Sequence, residues 1–156
     1  MTSMGYRQAR EVCETHAARL RWAMDALSNH RPWNADDIDA LDPQERAVCD
    51  QFVLRFSKLQ DAIGTKLMPA VLELAQEPGE LTAFIDKLNR LEKIGAIPSA
   101  EAWLKTREMR NQFAHDYPDD PEIQASLFNK AFDLAEEMLE LLASLDQFCG
   151  RLLSSR

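Results

Sequence analysis

Arg110, Asn111, His115 and Tyr117 fall within the eight-residue run Arg110-Asn111-Gln112-Phe113-Ala114-His115-Asp116-Tyr117. Nowhere else in the chain do groups suited to acid–base chemistry gather so closely. A histidine titrating near neutrality serves as general base or general acid. A guanidinium can hold the oxygens of a phosphoryl group that gains negative charge in its transition state. An asparagine can orient the imidazole or donate to a phosphate oxygen. Without a metal, these groups suit the cleavage of RNA. The ribose 2′-hydroxyl is an internal nucleophile, so the protein need supply only a base for that hydroxyl or an acid for the leaving oxygen. DNA has no such hydroxyl and is not an expected partner.

The spacing constrains where such a site can form. Residues five apart on an ideal helix are separated by roughly 140° around its axis, so Arg110 and His115 do not share a face. Asn111 and His115, four apart, do. Arg110 and His115 converge only if the last turn loosens before Pro118, or if a second subunit supplies the missing half. The expectation is a site at a helix end, facing a groove and completed in a homodimer. A plainer reading stands beside it, in which Arg110 and His115 complement the dipole of a helix C-terminus and Tyr117 packs nearby.

The chain of 156 residues is long enough for one domain with a real core, covering residues 1–156. No apolar run is long enough to span a bilayer, and Met1 to Arg10 lacks the pattern of a signal peptide, so a cytoplasmic location without a membrane partner is expected. Cys13, Cys49 and Cys149 are far apart and odd in number, and are expected to be small buried hydrophobes rather than zinc ligands or disulfide partners. The formal charge of −8 argues against a protein that coats nucleic acid nonspecifically. A local basic cleft would remain possible if Arg55, Lys58 and Lys66 converged with Lys105, Arg107 and Arg110. Of these, Arg55, Lys58 and Arg107 are the candidate RNA contacts, and a solvated charged face is the alternative. Asp36, Asp37 and Asp39, with Asp119, Asp120 and Glu122, fall in expected loops and helix starts, where they read as caps rather than a metal site. No cofactor is expected.

The elements that must position these residues are all helical, since no stretch alternates in the manner of a strand. The first helix is expected from Gly5 to His30, with Tyr6, Ala9, Cys13, Leu20, Ala23 and Leu27 on one stripe and His16 half-buried on the seam. His30, before Pro32, should be at the surface, and Asn34 to Asp39 should be an acidic turn. Asp42-Pro43 is an N-cap followed by proline, a strong helix start. That second helix carries Val48, Phe52, Phe56, Leu59, Ile63, Leu67 and Leu74 at helical spacing, and Pro69 should kink it, because proline removes a donor and crowds the carbonyl of Thr65. A third helix, Leu81 to Lys93, turns Phe84, Leu88 and Leu91 inward; a fourth, capped by Ser99, carries the motif and ends near Asp116. Proline disfavours helical geometry in the residue before it, which takes Tyr117 off that helix. Asp120-Pro121 opens the last helix, whose seam runs Leu127, Ala131, Leu134, Met138, Leu141, Leu145 and Phe148. The fold class is an all-α up-and-down bundle of about five helices.

Arg110-Asn111-(x)3-His115 resembles the Arg-(x)4–6-His motif of HEPN-domain proteins, and Asp116-Tyr117 extends it to the Arg-(x)4-His-x-Tyr form of HepT-like toxins. The segment Arg55 to Asp61, with Gly64, also resembles the second helix of some HepT-like proteins. The resemblance implies a HEPN-like bundle over nearly the whole chain. It further implies a homodimeric, metal-independent endoribonuclease toxin with Arg110 and His115 catalytic, Asn111 supporting, and RNA as substrate. Its antitoxin would be a small MNT-type nucleotidyltransferase that transfers AMP from ATP onto the motif tyrosine, here Tyr117. A second function class stays open, in which the chain is a non-catalytic HEPN subunit that binds the nucleotidyltransferase and keeps the motif as a docking peptide.

Overall fold

Asp42 and Asp120 show how local chemistry starts two of the three longest helices. The Asp42 carboxylate accepts from the Glu45 amide while Glu45 reaches back to the Asp42 amide, a reciprocal capping box. Asp120 accepts from the amides of Glu122 and Ile123. In each case proline follows at the first helical position, where its missing N–H costs nothing. The computed structural model describes residues 2–77, 83–115 and 119–155.

Among the described residues the fold is all helical, an up-and-down bundle with no strand. Its α-helices are α1 (Thr2–Ala26), α2 (Ala35–Ala40), α3 (Pro43–Ala62), α4 (Met68–Leu74), α5 (Phe84–Lys93), α6 (Ala100–Ala114) and α7 (Pro121–Ser154). Helix α1 packs along α3, α6 lies against α3 and α7, and α5 leans on α4 and α6. The expected stripes do form the core: Leu20, Leu27, Phe52, Phe56, Leu59, Leu67, Leu88 and Leu145 are fully buried. Phe52 stacks on Phe132 with ring centroids 4.3 Å apart, joining α3 to α7. Tyr6 donates to Asp146 at 2.9 Å, tying α1 to the far end of α7. The three cysteines are free and buried, and burial pushes the Cys49 and Cys149 thiols up to about 11. No described helix is long and apolar enough to cross a membrane.

Three segments differ from expectation. The stretch from Asn34 is a short helix, α2, because Asn34 and Asp37 form a capping box of their own. Helix α1 stops at Ala26, and a single 3₁₀ turn, Ser28–His30, follows it. His30 is consequently no free surface residue. Helix α2 carries Asp37 to its Nδ1 at 3.3 Å, Glu45 bonds its Nε2, and the ring stacks on Trp33.

The chain accommodates Pro69 by a different route from a plain kink. Residues Ile63–Leu67 form a π-helical turn, closed by the Met68 amide donating to the Ile63 carbonyl, and α4 begins directly after it with Pro69 in its first turn. The wider turn absorbs the missing donor and the crowding at Thr65 without breaking the rod. Thr65 Oγ1 donates to the Asp61 carbonyl at 2.6 Å within the same stretch. This turn lies directly beside the motif helix.

Candidate functional site

Three helices each offer one narrow stripe to a common cleft. From α3 and the π turn come Gln60, Asp61, Gly64 and Thr65; from α5 come Phe84 and Lys87; from α6 come Arg107, Arg110 and Asn111. The three- and four-residue steps are what places each set on one helix face. Pro69 completes the lining of a cleft of about 490 Å³, within the range of small-ligand sites. Its floor is Gly64, where an added Cβ would stand 3.3 Å from the Trp103 indole and 3.9 Å from both Gln60 Nε2 and Phe84 Cζ. The absence of a side chain lets α6 bring Trp103 against the π turn.

Arg110 is held side-on by a residue 49 positions away. Its Nε donates to Asp61 Oδ1 at 3.0 Å and its Nη2 to Asp61 Oδ2 at 3.1 Å. That planar fork fixes the guanidinium and raises its pKa further above the ordinary arginine value, chiefly through the hydrogen bonds to Asp61. Nη1 makes no hydrogen bond to any described residue. Arg107 lies over the Phe84 ring, 5.1 Å from guanidinium carbon to centroid, and Lys87 stands on the same wall. Three cations thus face one carboxylate in a chain whose net charge is −8. The arrangement can take up an anionic group, with Arg110 pre-aimed at it.

The structure brings together only some of the residues singled out from sequence. Arg107, Arg110 and Asn111 line the cleft. His115 does not; it is exposed, caps α6 in an extended conformation (φ −103, ψ 151), and its amide donates to Gln112 O. The last turn therefore does open at His115, yet the Arg110 guanidinium pairs with Asp61 rather than with the imidazole. Tyr117, with Asp116 and Pro118, lies outside the described residues.

Arg55, Lys58 and Lys66 do not join Arg107 and Arg110 in the cleft. Arg55 Nη1 instead donates to His16 Nδ1 at 2.9 Å, across the α1–α3 interface. Six residues turn a helix by roughly 240°, so Arg55 faces α1 while Asp61 faces α6. Burial, and then the nearby charges of Arg55, Lys58, Arg19 and Lys66, lower the His16 pKa. His16 is half-buried, as its place on the seam implied.

Phe84, expected to face inward, packs against the core and also walls this cleft, whereas nothing in the sequence singled out Lys87. Asp61 and Gly64 stood inside the segment Arg55 to Gly64 without a role. The three- and four-residue spacing of Gln60, Gly64 and Asp61, Thr65 was the available signal. Among the described residues, no cluster of three or more His, Cys, Asp or Glu is placed to hold a metal ion. Compared with protein-family models, with curated proteins and with solved structures, the chain matches none.

Proposed function

We propose that this protein is a metal-independent endoribonuclease of the HEPN type, a HepT-like toxin that cuts RNA in the cleft of a homodimer. The observation that carries the reading is the Arg110 guanidinium, clamped side-on by Asp61 with Nη1 left open in a cationic cleft. A guanidinium held this way meets a phosphate oxygen without reorganising. The motif Arg110-Asn111-(x)3-His115 and the all-helical bundle support the same family.

In the proposed reaction a neutral His115 takes the proton of a ribose 2′-hydroxyl. The 2′-oxygen attacks the adjacent phosphorus, and the bond from phosphorus to the 5′-oxygen breaks. A protonated His115 from the second subunit returns a proton to that leaving oxygen. Arg110 Nη1 neutralises the charge that builds on the non-bridging oxygens, and Asn111 donates to one of them. The second subunit enters because His115 and Arg110 do not share one cleft within a single chain. Regulation is proposed to come from an MNT-type nucleotidyltransferase that adds AMP to Tyr117. An anion there, two residues beyond His115, would pair with the cleft cations and occupy the space an RNA phosphate needs.

The separation of His115 from the cleft lining also favours a second reading, a non-catalytic HEPN subunit that binds the nucleotidyltransferase. Purified protein incubated with total RNA separates the two. The ribonuclease reading expects cleavage that survives EDTA and disappears in His115→Ala and Arg110→Ala. Both variants should fold, with stability changes of about 1 kcal/mol or less at these exposed or part-exposed positions. Wild-type protein that leaves RNA intact, or cleavage unaffected by His115→Ala, would remove the catalytic assignment.

A further inference from the structure

Gln60 is only 5% exposed, and among the described residues its carboxamide forms no hydrogen bond. Its oxygen and nitrogen are nevertheless not sealed from solvent, so the amide keeps contact with water while the rest of the side chain is packed. Gln60 lines the cleft, where its Nε2 and the tip of the Phe84 ring each stand 3.9 Å from the position of a Cβ on Gly64. An amide in that position is held by packing and leaves its donor and acceptor free for a ligand in the cleft.

We propose that Gln60 reads the edge of an unpaired nucleobase of the RNA, seated over Gly64 beside the Phe84–Arg107 stack. This rests on the reading of the cleft as an RNA site. A carboxamide offers a donor and an acceptor side by side, which match the paired donor and acceptor on a base edge. A ring and a guanidinium plane offer a base flat surfaces to stack on, a common device of single-strand recognition. Gly64 lines the same cleft beside Gln60. The phosphate attached to that base then falls to Lys87, Arg107 and the open Nη1 of Arg110. Gln60 is in this account the residue that sets base preference next to the bond cut, and it has no part in the proton transfers.

The test uses the full chain and titration calorimetry with the four nucleoside 5′-monophosphates, and with ribose 5-phosphate as the probe lacking a base. Wild type should bind at least one nucleotide more tightly than ribose 5-phosphate. Gln60→Met keeps the length of the side chain and removes both hydrogen-bonding groups, so it should cut that margin by about tenfold or more. Its thermal midpoint should stay close to that of wild type, since no hydrogen bond within the protein is lost.

Equal binding of ribose 5-phosphate and every nucleotide would overturn the proposal. So would a folded Gln60→Met protein that keeps the base margin. If RNA is cut but no nucleotide shows a base margin, the base subsite fails and the ribonuclease stands. A Gln60-dependent base margin with no cleavage leaves the subsite in place and removes the ribonuclease.

Discussion

Replacing Asp61 with Asn separates a positioning role from a structural one. The substitution keeps the shape of the side chain and removes the charge that holds both Nε and Nη2 of Arg110 at 3.0 and 3.1 Å. The side chains are 32% and 44% exposed, so water screens the pair and its contribution to stability is about 0.5–1 kcal/mol. For a chain of this size that is a fall in Tm of about 4 °C at most. The effect on turnover should be larger. A guanidinium released from its fork samples many directions, and a misplacement of about 1 Å can cost on the order of 100-fold in rate. Removing a carboxylate from a cationic cleft should at the same time leave RNA binding unchanged or tighter. Asp61→Asn should therefore lower kcat by about 10- to 100-fold, leave KM equal or lower, and barely move Tm. Cleavage kinetics on a short fluorogenic RNA, with calorimetry beside them, measure all three. An unchanged kcat would refute the idea that Asp61 aims Arg110. A rise in KM with kcat preserved would show instead that the pair merely shapes the binding surface.

Sedimentation at micromolar concentration should show a homodimer, with cross-links between residues introduced near the two copies of His115; a monomer would break the proposed pairing of half-sites. His30 should make stability depend on pH. Burial lowers its pKa, but the hydrogen bonds with Glu45 and Asp37 outweigh that and hold it above its ordinary 6.5. A raised folded-state pKa contributes stability that is complete below the unfolded value and fades as pH rises through the folded value. The Tm difference between wild type and His30→Gln should therefore be larger near about pH 6 than near about pH 8, and a difference that grows with pH would contradict the assignment. Incubation with an MNT-type nucleotidyltransferase and ATP should add mass in AMP units to the wild type and none to Tyr117→Phe.

Sequence by itself determined what depends on neighbours a few residues apart. Asp42-Pro43, Ser99 and Asp120-Pro121 start helices because a cap and its amides lie within three residues, a range no tertiary contact needs to correct. The stripes of α1, α3 and α7 were equally legible, since helical periodicity alone selects the face that leaves water. Helix α2 was open to the same reasoning through Asn34 and Asp37, and its acidic composition obscured it. The motif's place at a helix end was also readable: α6 closes at Ala114 and His115 caps it in an extended conformation.

Tertiary structure decided everything that depends on which helix faces which. Arg55 and Asp61 stand six residues apart on one helix, yet one meets His16 on α1 and the other Arg110 on α6. The charge set that composition grouped together is thereby split between two faces. Gln60 could not be told from an ordinary exposed glutamine until helix packing buried it beside Gly64. The difference is physical. Caps and periodicity are properties of a single helix, whereas a cleft exists only where three helices are packed at fixed offsets. Those offsets are set by the volumes of buried side chains far apart in the chain.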